Sequence, residues 1–163
     1  MFVSMMLLSV ANTAEAGKLA EGFRGVPYGP ASVLDVAPGE NCAANTESGV
    51  RWNCQVRLGE ANVEVAYMVQ EGLFFGLVIH AEGYGNSTTF FDVLVAGYGA
   101  GAPANTYDDT KLADRRWLDG NVVGSWDYNK YSDKAQFIVY DQTLMAKIKA
   151  IEADRAKAAA SGL

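Results

Sequence analysis

Histidine occurs once in the 163 residues, cysteine twice and proline four times. A single imidazole excludes every site that needs two, including the HExxH zinc type and most His-rich metal centres. Two thiols with no CxxC cannot supply a zinc ligand set by themselves. Cationic side chains are also scarce: 13 Lys and Arg stand against 19 Asp and Glu, a formal net charge of -6. Phosphate backbones and anionic lipid surfaces attract clustered cations, so nucleic acid is not an expected partner. There is no Gly-rich phosphate loop and no nucleophile–base constellation, so no catalytic residue, cofactor or metal is assigned. What is present is 50% apolar, 20% charged and 11% aromatic residues, the composition of one globular domain. A core in ~150 residues removes roughly 68–70% of the unfolded surface from water, so neither metal nor oligomer is needed for stability.

Phe2 to Ala11 (FVSMMLLSVA) is an uncharged apolar run, too short to cross a bilayer, which takes about 20 residues. It gives way to small and polar residues, and Ala14-Glu15-Ala16 places small side chains at the two positions a signal peptidase tests. Residues 1–16 are therefore expected to be a signal peptide cleaved after Ala16. A single domain would follow over 17–155, with a frayed tail over 156–163 and no integral membrane span after processing. No Lys or Arg precedes Lys18, so the other reading is an apolar strand or helix start. Export implies a periplasmic or secreted protein in an oxidising compartment, where Cys42 and Cys54 are expected to pair. The bridge would pin the loop Pro38-Gly39-Glu40-Asn41 to a strand, and closing a loop of this size is worth roughly 2–3 kcal/mol.

Phe23 to Tyr28 reads as a short strand-like opening, followed by one or two helical turns over Ala31 to Val36. From Val50 the alternation is strict. Val50, Trp52, Cys54, Val56 and Leu58 share one face, then Val63, Val65, Tyr67 and Val69, then Leu73, Phe75, Leu77 and Ile79. Period-2 runs separated by short Gly-bearing turns form an antiparallel meander. Asn86-Ser87-Thr88 offers N-cap oxygens to a helix carrying Phe90, Phe91, Leu94, Val95 and Tyr98 on one face, stopped by Gly97 and Gly99. A second meander is expected from Arg115–Leu118 and Asn121–Tyr128 around an Asp119-Gly120 turn, closed by Ala135–Tyr140. Asp141 would cap a last helix bearing Leu144, Ile148 and Ile151. The predicted architecture is α+β: an antiparallel sheet of about six strands in two meanders, with helices packed on one face.

The Gly25-Val26-Pro27-Tyr28-Gly29 opening, a short helix, a meander and a helix ending in Tyr98-Gly99 resemble, in element order over residues 23 to 141, small exported domains of the β-lactamase-inhibitor-protein and SmpA/BamE type. That resemblance implies a binding or assembly protein.

Aromatics crowd the second half. Tyr107, Trp126, Tyr128 and Tyr131 with Asn129 are the candidate binding residues, because rings beside polar turn residues offer large contact area at low entropic cost. Trp117 and Trp126 facing the first helix as core is the competing placement. His80 and Glu82 share a strand face and could form a base and its orienter. Asp108, Asp109, Asp114 and Asp119 are close enough in sequence to wrap a hard cation, but lack the DxDxDG order. The expected function is an exported non-enzymatic domain that binds a protein or envelope component. The alternatives are a small cell-wall-directed hydrolase, or an accessory subunit of a larger envelope assembly docking through Lys147 to Leu163.

Overall fold

The computed structural model describes residues 19–46, 49–104 and 110–162. The expected signal peptide, Tyr107, Asp108 and Asp109 lie outside the described residues.

Alternation builds most of the sheet. β3 (Val50–Leu58), β4 (Ala61–Gln70) and β5 (Leu73–Glu82) form the first meander. β7 (Arg115–Asp119), β8 (Val122–Asn129) and β9 (Lys134–Asp141) form the second. β5 pairs antiparallel with β9 from Gly76↔Tyr140 to Glu82↔Lys134, which joins the two meanders into one sheet. The strand count exceeds the expected six. β1 (Gly29–Pro30) lies against β5, β2 (Cys42–Ala44) edges β3, and β6 (Ala102–Pro103) edges β7. Strands of two or three residues have no room for an alternating pattern, and two of these contain proline, which sheets tolerate at edges.

Other sequence expectations need correction. Phe23 to Tyr28 is not a strand: Phe23 and Val26 exchange backbone hydrogen bonds around Arg24-Gly25, a tight reversal. The hairpin joining β7 to β8 turns on Gly120-Asn121, since Asp119 already pairs with Val122. Gly120, the first of the two turn residues, has positive φ, at 58°, so the turn is centred one residue later than Asp119-Gly120 implies.

Helix α1 (Tyr84–Tyr98) begins before the expected cap, with Gly83 as N-cap. Asn86 instead accepts a hydrogen bond from the Asn62 amide at 2.9 Å and donates to its carbonyl at 2.6 Å, tying the first turn of α1 to β4. The helix runs through Gly97 and ends at Gly99, whose N–H bonds the Val95 carbonyl. Phe90, Phe91 and Leu94 lie buried against Val63, Val65, Tyr67, Leu77, Ile79 and Phe137 in one contiguous core. At about 25 cal/mol per Å² of apolar surface, such burial is the main stabilising contribution.

Asp141 caps α2 (Gln142–Ser161), its Oδ1 accepting from the Thr143 and Leu144 amides at 2.7 and 3.0 Å. α2 packs on β5 and β9 through buried Ile148, and its later turns are held to the β4–β5 turn by Arg155–Glu71 and Gln70–Glu152. The stretch from 156 is helical to Ser161 and exposed, because a run of alanines propagates helix at little cost. Among the described residues no helix is long and apolar enough to cross a membrane.

Candidate functional site

Sheet pairing fixes which polar groups meet on the face away from the core. Gln55 opposes Glu64, Glu64 opposes His80, His80 opposes Gln136, and Gln136 opposes Asp127. Each strand alternates, so one inward row of Val56, Val63, Ala81 and Ala135 leaves its neighbours facing out. The result is a polar ladder across five strands at about 4.8 Å spacing. One end of it opens into a depression of about 530 Å³, lined by Gln55, Glu64, His80, Glu82, Asn86 and Lys134 among others.

His80 and Glu82 do share this depression, but Glu82 is committed elsewhere. Its carboxylate bonds Lys134 Nζ at 2.7 Å. That hydrogen bond and the ammonium charge hold Glu82 below the ordinary carboxylate pKa and raise Lys134 in turn, with His80 adding a smaller effect. A carboxyl held ionised is a poor proton donor. The pair is exposed and contributes little to stability.

Beside the depression, the β8–β9 turn and the start of α1 meet in an aromatic corner. Tyr128 donates its hydroxyl to Asp133 Oδ1 at 2.6 Å, and the Asp133 carbonyl accepts from Gly83 N at 2.8 Å. These bonds bring Tyr84 edge-on to Tyr128, with ring centroids 6.1 Å apart. Asn129 Oδ1 accepts from the Tyr131 and Ser132 amides, which shapes the turn, and Lys130 Nζ lies 5.3 Å from the Tyr131 ring centre. Tyr131 is 90% exposed and Tyr84 59%.

The structure thus brings Tyr128, Asn129 and Tyr131 together and removes Trp126 from the group. Trp126 is 1% exposed, packs on Phe90 and Phe91, and donates Nε1–H to the Leu112 carbonyl. It points to the core side of β8, where the parity of that strand places Val122, Gly124 and Trp126 together. Trp117 is likewise buried, its Nε1 on the Gly99 carbonyl, and Gly101 approaches so closely that a Cβ there would lie 2.7 Å from the indole. Tyr84 was not among the residues singled out by sequence. Helical spacing from Phe91 and Ser87 assigns it to the buried stripe, yet it overhangs the sheet end; its flanking glycines are the one local sign of an open junction. Asp119 accepts from the Ala20 amide, and among the described residues no three His, Cys, Asp or Glu side chains converge on a metal position.

Among the described residues, four phenols titrate high. Burial raises Tyr28 and Tyr98 and pushes Tyr67 up to about 12, while the Asp133 bond, aided by burial, pushes Tyr128 up to about 12. Between pH 10 and 12 the unfolded chain releases these protons before the native one does, so stability is intact below pH 10 and falls as pH rises. Urea unfolding at pH 9, 10 and 11 should show a monotonic decline, and ultraviolet titration should show a tyrosinate fraction that appears late and rises as the fold is lost.

No protein-family model, curated protein or solved structure matches this chain, so its reading rests on the geometry of this corner and the depression beside it.

Proposed function

We propose that the chain is an exported, non-enzymatic binding domain that recognises a protein or envelope component through the corner formed by Tyr84, Tyr128, Asn129 and Tyr131. The observation that carries this reading is that two exposed tyrosines stand on backbone held by hydrogen bonds at one corner. Asp133 ties Tyr128 and the start of α1 to one turn, and the Asn129 side chain shapes the loop that presents Tyr131. A tyrosine on backbone that is already placed brings large contact area at low side-chain entropy cost, which is how a few aromatic residues come to dominate an interface. The polar ladder would supply the hydrogen-bonding rim. The Cys42–Cys54 disulfide supports an oxidising compartment.

The test is affinity capture from envelope extract with the oxidised chain, against Tyr84→Ala/Tyr131→Ala. Both side chains are exposed, so the double variant should unfold at the parent's midpoint while recovering its partner at least about tenfold less well. Equal recovery of every captured component by both baits would end the proposal. The Trp126→Ala change is unsuitable here because it removes core, not surface.

A further inference from the structure

Among the described residues, three that are not glycine have left-handed backbone: Arg24 at φ 50°, Glu71 at 51° and Asp133 at 55°. L-residues avoid this region, and where one is held there the surroundings must compensate. For two of them the compensation is visible in the side chain. Glu71 receives both guanidinium nitrogens of Arg155, and Asp133 receives the Tyr128 hydroxyl. Arg24 has no ion pair or hydrogen-bonded side-chain partner among the described residues. It is the first residue of the Arg24-Gly25 reversal, where Asn or Gly would sit without strain.

Arg24 lines a second depression, of about 400 Å³, walled by the disulfide Cys42–Cys54 and the loop Pro38–Asn41. Tyr67 also lines it. This tyrosine is 1% exposed, packs its ring on Phe23 and Phe74, and its hydroxyl has no hydrogen-bond partner among the described residues. Its hydroxyl feels the Arg24 charge, which opposes the effect of burial on its titration. The Tyr67 oxygen is not one of the fully buried polar atoms left without a partner, so it opens onto the depression, where it can donate to a group held there. On the same wall Arg57 is partly engaged, by Glu60 and the Gly59 carbonyl, and Glu40 is the one carboxylate of the lining.

We infer that this pocket binds a small oxyanion, with Arg24 as its guanidinium clamp and the Tyr67 hydroxyl as a second donor. A planar guanidinium offers two parallel N–H groups, the arrangement that carboxylate and phosphate oxygens accept. The disulfide holds the loop that closes the third side. Because the overall charge is -6, long-range attraction of an anion is weak, and the site depends on these local donors.

Inorganic phosphate and acetate, with chloride at equal ionic strength as control, should be titrated into the oxidised full chain and followed by amide chemical shifts. Saturable shifts confined to residues 23–26, 38–42 and 54–57 are expected, with the stronger of the two anions identifying the preferred oxygen geometry. Arg24→Asn should bind that anion at least tenfold more weakly while unfolding no earlier than the parent, since Asn accepts the left-handed backbone. Tyr67→Phe should weaken it several-fold. Undiminished binding by Arg24→Asn, or shifts with phosphate and acetate no different from those with chloride, would overturn the inference.

Discussion

Trp126→Ala is expected to destabilise the domain by about 3–5 kcal/mol, the range for removing a large aromatic from a packed core. The indole lies between Phe90 and Phe91 of α1, with centroids 5.5 and 5.2 Å away, and its Nε1–H satisfies the Leu112 carbonyl at 3.2 Å. Truncation therefore empties a volume at the α1–sheet contact and deprives a carbonyl of its donor. The surroundings cannot collapse easily, because α1 is tied to β4 through Asn86 and Asn62. Set against a typical total of 5–15 kcal/mol, this leaves a marginal or unfolded chain. Urea unfolding followed by far-ultraviolet circular dichroism measures it. Trp126→Phe, which keeps ring contacts but not the donor, should lose clearly less. A loss below about 1 kcal/mol for the alanine variant would contradict the core placement of this residue.

The second large effect concerns the disulfide. Replacing Cys42 and Cys54 together by Ala should cost about 2–3 kcal/mol, chiefly by freeing the unfolded chain. The two cysteines stand directly opposite in the β2–β3 pair. β2 is a three-residue edge strand, and such an edge has few hydrogen bonds with which to resist peeling. Native-state amide exchange should accordingly show protection lost first at residues 42–44 and 52–54, before the rest of β3. The Pro38–Asn41 loop should loosen with it, so the double variant should also bind small oxyanions more weakly than the parent. Uniform loss of protection over the whole sheet would mean that the bridge supports the global fold and not this edge. Intact mass without reductant gives a separate check, since the oxidised chain is two hydrogens lighter than the reduced one.

Much of the sheet was legible because burial on one face imposes period 2. The runs from Val50, Val63 and Leu73, and the segments around Trp117, Trp126 and Phe137, alternate in sequence and form β3, β4, β5, β7, β8 and β9. Asp141 was legible as a cap for the same local reason: a carboxylate before a helical stripe can reach two free amides. The start of α1 was misread because Asn86-Ser87-Thr88 has cap chemistry. Asn86 instead bonds Asn62 of β4, and the Ser87 and Thr88 hydroxyls are buried without a hydrogen-bond partner. Tertiary contacts override a local preference worth about 1 kcal/mol. β1, β2 and β6 were invisible because each exists only through its neighbour's unpaired edge.

The candidate surface was half legible. Tyr128, Asn129 and Tyr131 are close in sequence and remain close in space, since a tight turn keeps neighbours together. Trp126 shares strand spacing with Tyr128, yet the two differ in fate. Trp126 lies under the middle of α1, against Phe90 and Phe91, while Tyr128 meets the first residue of the helix, Tyr84, and stays partly open to solvent. Tyr84 reached the corner from 44 positions away through the Gly83–Asp133 backbone bond.

By itself, the order of apolar and polar residues determined that this chain makes an antiparallel sheet with a helix laid on it, because water forces each strand to turn one set of side chains inward. Only the tertiary structure decided which aromatic rings fill that core and which stand open, and which charged side chains meet a partner. Those outcomes depend on where strands end relative to the helix above them, a distance that no local run of residues encodes.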